Sequence, residues 1–192
     1  MDLGCGTGEL AIPLAKYFEN VHAVDPDDEM LMLGCNKANQ LNIHNIEWQK
    51  GSSRALAKIK ESFKLVSIGQ SFHWMEPENT LNNIFDTLEN NGHLIIIDSE
   101  PIKQNNITSR KDEIIKKVVK KYLGPKRRAG KYFYEPTGEN WETELFPNSA
   151  FGGFEKCNYL VRMNRSTDQI IGNIFSMSWA SKKAAWRYRC EL

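Results

Sequence analysis

Short apolar runs alternate with helical periodicities along the first hundred residues. Val21–Val24 is an apolar run closed by Asp25, and Glu29–Asn39 has helical composition with Met30, Leu31, Leu33 and Ala38 as its apolar members. Ile46–Gln49 reads as a strand, Lys64–Ile68 as another, and Glu78–Leu88 as a helix with Leu81, Ile84, Phe85 and Leu88 on one side. Asn90-Asn91-Gly92 marks a turn before Leu94–Ile97, a strand expected to be buried and ending at Asp98. Strands alternating with helices of this length imply βαβ units and a mostly parallel sheet covered on both faces. The expected fold class is therefore α/β, doubly wound.

The second half reads differently. Arg110–Tyr122 puts Ile114, Ile115, Val118, Val119 and Tyr122 on one helix face, opposite Lys116, Lys117, Lys120 and Lys121. A stretch rich in Gly, Pro and aromatics follows, Gly124–Pro147, and Phe154–Met163 alternates loosely, as a late strand would. Ser166-Thr167-Asp168-Gln169 has the spacing of a capping box and opens a helix through Phe175.

Composition narrows the class. The chain has 192 residues, 41% hydrophobic and 26% charged, which suits one folded domain. Its 25 Lys and Arg nearly cancel 24 Asp and Glu, so net charge gives no argument for nucleic acid or an anionic membrane. No apolar run is long enough to span a bilayer, and no secretory leader pattern opens the chain. Cys5, Cys35, Cys157 and Cys190 are scattered, as are the four histidines. That pattern reads as reduced thiols in the cytoplasm and no structural metal.

The chemistry is concentrated at the start. In Asp2-Leu3-Gly4-Cys5-Gly6-Thr7-Gly8, glycines alternate directly before a helical segment expected over Glu9–Phe18. Alternating glycines let a backbone turn sharply and approach a ligand closely, and the helix start beyond offers free N–H groups. Asp25, at the end of the next strand, is placed to accept hydrogen bonds from a ribose diol. A dinucleotide fingerprint counted from Gly4 would need its third glycine at Glu9, and a phosphate loop would need Gly-Lys-Ser/Thr, which is absent.

The D-x-G-x-G-x-G run resembles motif I of the class I S-adenosylmethionine-dependent methyltransferases, in the type 11-like, Rossmann-like group. Further landmarks of that family follow in order: Val24-Asp25-Pro26, Gly51-Ser52-Ser53, Gln70-Ser71-Phe72-His73-Trp74, and Asn91-Gly92-His93-Leu94-Ile95. The later half is similar to the trans-aconitate-methyltransferase-like enzymes. It shares with them the Gln70–Met75 stretch, Glu144-Leu145-Phe146 before a Gly-Phe strand, and a helix ending Ser176-Met177-Ser178-Trp179. Those enzymes methylate small molecules, often at a carboxylate.

The resemblance implies S-adenosylmethionine as cofactor and a small-molecule acceptor; the charge balance and short apolar runs give no nucleic-acid or membrane partner to expect. Gly4, Cys5 and Gly6 would line the methionine part, with Asp2 near its amino group. Asp25 would bind the ribose, with Pro26 and Met30 beside it, and Ser52 and Ser53 would face the adenine. Ser52 stands where many relatives carry Asp, and Arg54 where Glu is common, so adenine recognition would lean on backbone groups. Gln70 and Ser71 would sit near the sulfonium, with His73 and Trp74 on the acceptor side. His73 reads either as a general base or, preferably, as a shaper of the pocket. Methyl transfer from a sulfonium depends on in-line placement more than on acid or base help.

Plainer readings stand beside these. The Lys116–Lys121 face with Lys126-Arg127-Arg128 reads as a solvated helix face before it reads as an RNA contact. Tyr132-Phe133-Tyr134 and Trp141 suit either a substrate lid or core aromatics. The expected organisation is one methyltransferase domain over 1–192: a cofactor half at 1–102, a cap at 103–148, and a late strand and helix at 149–192. Met1–Leu3 is only a stub of a central strand, and Ala180–Leu192 has no strand pattern. These ends lead us to expect a fragment with weak or absent methyl transfer. A non-catalytic remnant or interaction protein that keeps the fold is the second reading.

Overall fold

The computed structural model describes residues 1–99, 110–123, 127–129, 132–134 and 141–176. One compact unit comprises Met1–Glu100 and Glu139–Glu155, and a second comprises Pro101–Gly138 and Lys156–Leu192.

The first unit is built on a five-stranded sheet in the order β3-β2-β1-β4-β5, with every pair parallel. Its strands are β1 (Asp2–Leu3), β2 (Val21–Asp25), β3 (Ile46–Lys50), β4 (Phe63–Gly69) and β5 (Leu88–Ile97). Between them lie α1 (Ala11–Leu14), α2 (Asp28–Gln40), a 3-10 segment at Ser53–Lys58, a 3-10 turn at Phe72–Trp74, and α3 (Pro77–Thr87). The order reverses between β1 and β4, and at such a switch point a crevice opens beyond the carboxyl ends of the strands.

Period-two alternation explains how β2 is buried on both faces. Val21 and Ala23 join one core cluster with Cys5, Ala11 and Leu31, while Val24 joins the other with Leu3, Val66, Ile68, Leu81 and Ile84. β1 pairs Asp2 with Ala23 and Leu3 with Val24 on one side, and Asp2 with Ser67 on the other. The Ser67 N–H donates to the Met1 carbonyl at 2.9 Å. At the lower end of the sheet, His22 of β2 and Phe63 of β4 meet edge to face, with ring centroids 5.2 Å apart.

The helices follow their local signals. Asp27 caps α2, its carboxylate accepting from the N–H groups of Glu29 and Met30 at 2.8 and 3.3 Å. Leu31, Gly34 and Ala38 form the buried side of α2, whereas Met30 and Leu33, also among its apolar members, are exposed. α3 opens with Pro77 at its first position and buries Thr80, Leu81, Ile84 and Thr87. Phe85, expected on the buried side, stands 46% exposed and meets Phe151 edge-on at 5.4 Å. The helix expected over Glu9–Phe18 is regular only over Ala11–Leu14, inside a run of turns.

Two expectations for strands need correction. Leu94–Ile97 is not buried on both faces: Leu94 and Ile96 pack on the core, whereas Ile95 and Ile97 on the opposite face are 45% and 44% exposed. The Asn90-Asn91-Gly92 turn is absorbed into β5 as an irregularity. The pairing jumps from Phe63 with Leu88 to Leu65 with His93, and Asn91 takes a φ of 66°. The Phe154–Met163 segment forms no strand and is exposed for most of its length. Trp141–Leu145 is a single π turn that packs on the first unit's core through Leu145, Trp141 and Phe146, and Trp141 meets Phe72 edge-on at 4.9 Å. Trp141 is thus a core aromatic.

In the second unit, α4 (Arg110–Leu123) matches its expected span. β6 (Arg127–Ala129) and β7 (Tyr132–Tyr134) pair antiparallel inside the stretch expected to be a loop. α5 (Thr167–Ser176) starts with the expected capping box: Gln169 N–H donates to Ser166 Oγ at 3.2 Å, and Ser166 N–H to Gln169 Oε1 at 2.9 Å. Met177, Trp179, the segment Ala180–Leu192, Lys126 and much of the expected cap at 103–148 lie outside the described residues. No helix among the described residues is long and apolar enough to cross a membrane.

Candidate functional site

The glycine loop leaves β1 at the switch point. Gly4, Gly6 and Gly8 take φ values of 71°, 53° and 81°, a region that side chains disfavour. Gly4 and Cys5 both donate their N–H to the Val24 carbonyl, at 2.7 and 3.1 Å, which folds the loop over the end of β2. At Gly4 an added Cβ would lie 2.4 Å from Ser71 Oγ, whereas at Gly6 it would meet nothing within 4 Å. The loop is therefore closed on the β4 side and open at Gly6.

Two carboxylates hold this loop from within. Asp2 is 1% exposed; one oxygen accepts from Ser67 Oγ at 2.9 Å and the other from the Ala11 N–H at 2.9 Å. It ties β1 to β4 and to the first turn of α1, so it supports the loop from beneath. Burial raises its pKa to about 6, against the opposing hydrogen bonds from Ser67 and Ala11. Asp25 is 9% exposed and accepts from the Gly6 N–H at 2.8 Å and the Asp27 N–H at 2.9 Å. Each Asp25 oxygen keeps further lone-pair capacity beyond these bonds. Cys5 is buried, and burial pushes its thiol pKa strongly upward, so it carries no thiolate at neutral pH.

A cavity of about 200 Å³ opens beside Asp25, lined by Val24, Gln49, Gly51, Ser52, Ala55, Leu56 and Ile59. Ser52 lies on its wall as the residue preceding the 3-10 segment, while Ser53 is 8% exposed and turned into the protein. Arg54 bonds Glu76, joining that segment to the start of α3, and Pro26 and Met30 are exposed after β2. Gln49, Ala55, Leu56 and Ile59 carry no motif, and their part in the cavity was not legible in the sequence.

On the other side of the loop, Gln70 is exposed with a φ of 53°, and its N–H donates to the Ile97 carbonyl at 2.9 Å. Ser71 Oγ donates to the Leu3 carbonyl at 3.2 Å, locking this turn to the end of β1. His73 is half-buried and Trp74 is 39% exposed, their rings 4.8 Å apart, while Phe72 between Ser71 and His73 points into the core. The structure thus gathers Asp25, Gly4, Gly6, Ser71 and Gln70 around one loop, with the Ser52 cavity adjoining. Among the described residues no three His, Cys, Asp or Glu side chains cluster as a metal site.

These features suit an adenosyl cofactor. The open approach at Gly6, a carboxylate with spare acceptor capacity, and an apolar slot for a base lie side by side at the sheet's switch point.

Comparison with known proteins points the same way. Residues 1–92 match the methyltransferase domain family. An uncharacterised methyltransferase-like protein of Schizosaccharomyces pombe is 30% identical over 163 residues, covering 83% of this chain and 56% of the yeast protein. A probable S-adenosylmethionine-dependent methyltransferase of Saccharomyces cerevisiae is 27% identical over 94 residues, covering 48% of this chain and 32% of its own length. The crystal structure of an S-adenosylmethionine-dependent methyltransferase from Clostridium acetobutylicum overlaps with a TM-score of 0.43 at 26% identity, over 51% of this chain and 42% of that one. The chain spans about half the length of the first of these relatives and about a third of the second. The glycine loop and the strand order thus agree with the methyltransferase domain family that residues 1–92 match.

Proposed function

We propose that the chain binds S-adenosylmethionine across the glycine loop and transfers its methyl group to a small-molecule acceptor, with a carboxylate as the favoured acceptor group. The observation that carries this reading is the junction of open loop, Asp25 carboxylate and adjoining cavity. Asp25 would accept the ribose hydroxyls while keeping Gly6 and Asp27 in place, and Pro26 and Met30 would border the sugar. Ser52 and Gln49 would meet the base within the cavity, and Ser53 would act through the backbone, since its side chain is buried. Gly4, Cys5 and Gly6 would pass the methionine part, with Asp2 holding the loop beneath it. Gln70 and Ser71 would flank the methyl donor, and His73 and Trp74 would border the acceptor.

The cofactor supplies a methyl group already activated on a sulfonium. The protein's task is then to align the acceptor and exclude water, a contribution that reaches several kcal/mol, about 7–11 at its upper end. A carboxylate acceptor carries its own negative charge and needs no base, which fits His73 as a wall of the pocket. The near-balance of 25 basic and 24 acidic residues gives no support to a nucleic-acid acceptor. We extend the reading to a single domain acting in the cytoplasm, supported by the free thiols of Cys5, Cys35 and Cys157.

The test is release of S-adenosylhomocysteine with a panel of small carboxylic acids, with RNA, and with no acceptor. Release with the acids supports the proposal, and release with RNA alone contradicts it. Cofactor binding without release under any condition favours the non-catalytic reading.

A further inference from the structure

Trp48 has no place in the family's motifs, yet it touches the glycine loop from beneath. An added Cβ at Gly8 would lie 2.6 Å from Trp48 Cη2, and one at Gly34 would lie 2.4 Å from Trp48 Cζ3 and 2.6 Å from Cη2. The outer edge of the indole is thus held between two glycines, one on the loop and one on α2. The same Gly34 Cβ would come within 3.2 Å of the Thr7 carbonyl carbon, so the helix meets the loop backbone directly. One turn further along α2, Lys37 pairs with Glu9 at 2.8 Å, just past Gly8. Gly8 is at once a left-handed turn, with a φ of 81°, and a spacer for the indole.

We infer that Trp48, clamped between Gly8 and Gly34, is a positioning residue that sets the height of the loop's outer limb and so the loop's fit to the cofactor. This rests on the proposal that the loop binds S-adenosylmethionine. Carbon atoms settle about 3.5–4.0 Å apart, so a methyl group at Gly34 must displace the indole edge by about 1 Å. The neighbour in its path is Gly8. α2 begins right after Asp25 and Pro26, so the wedge also couples the loop to the helix that follows the ribose-binding carboxylate.

The test is calorimetric titration of S-adenosylhomocysteine into the native chain, Gly34→Ala, Trp48→Phe and the double variant, with melting temperatures alongside. Gly34→Ala weakens binding by about tenfold, the scale expected when a binding element is misplaced by about 1 Å. Trp48→Phe, which lacks the atoms facing both glycines, weakens it less. The double variant recovers affinity, because the methyl group occupies the space the indole edge leaves. Val21→Ala, in the same core cluster but at the far end of β2, lowers the melting temperature with affinity nearly intact. If Gly34→Ala does not fold, recovery of folding and affinity in the double variant still supports the wedge. Unchanged affinity in both Gly34→Ala and Trp48→Phe, or no recovery in the double variant, overturns the role of Trp48 alone. No binding by the native chain overturns the cofactor reading and this role with it.

Discussion

Asp25 and Asp2 stand at successive strand ends, and their surroundings give them different work. Asp25 keeps spare acceptor capacity beside an open approach, and charged hydrogen bonds contribute about 1.5–3 kcal/mol each. Asp25→Ala should therefore weaken S-adenosylhomocysteine binding at least about tenfold in a calorimetric titration; unchanged affinity would remove it from the ribose site. Asp2 is sealed beneath the loop, and burial lifts its pKa from 3.8 to about 6. Between those values the folded chain holds a proton that the unfolded chain has released. Its contribution to stability therefore falls as pH rises through that window and is constant above it. Asp2→Asn keeps an oxygen for the Ala11 N–H and removes the titration. Its unfolding free energy in urea should gain on that of the native chain from pH 4 to pH 7, by on the order of 1–3 kcal/mol. A difference that does not change with pH would show that Asp2 does not titrate there. The glycines and Asp25 were legible because their chemistry is written in adjacent residue types. Gln49, Leu56 and Trp48 were not, because their neighbours are distant in the chain and no motif marks them.

At the level of elements, local signals were read best where they act locally. The Ser166–Gln169 capping box forms both of its hydrogen bonds, and α2 and α3 begin within a residue of their expected starts. Ser166→Ala removes one capping acceptor, a loss of about 1 kcal/mol, so amide exchange over Ile170–Ile174 should quicken about fivefold. Unchanged exchange would show that α5 is held by something other than its cap. Signals that depend on neighbours were read less well. The run Leu94-Ile95-Ile96-Ile97 has the composition of a strand buried on both faces, but only Leu94 and Ile96 pack on the core and Ile95 and Ile97 stay exposed. Phe154–Met163 alternates as a strand does, yet no strand pairs with it among the described residues. α1 is shorter than its composition implies. Its first N–H group is taken by Asp2, and Pro13 supplies none of its own, so little of its start is left for a ligand.

For the molecule as a whole, the strand order and the segment that matches the methyltransferase domain family converge on one crevice. β1 lies at the centre of the sheet, hydrogen-bonded to β2 and β4, and delivers the glycine loop to the switch point. The βα alternation and a central first strand were read from the sequence and the resemblance, whereas the full order β3-β2-β1-β4-β5 came from the sheet itself. Acceptor chemistry depends on residues beyond this loop, whereas the proposal places the adenosyl group in the crevice itself. The most direct measurement of that central claim is thermal unfolding of the full chain with S-adenosylhomocysteine and, separately, with NAD. A ligand at about a hundred times its dissociation constant stabilises the fold by about 2.7 kcal/mol. A rise in melting temperature is expected with S-adenosylhomocysteine and none with NAD. A rise with NAD and none with S-adenosylhomocysteine would contradict the adenosyl site.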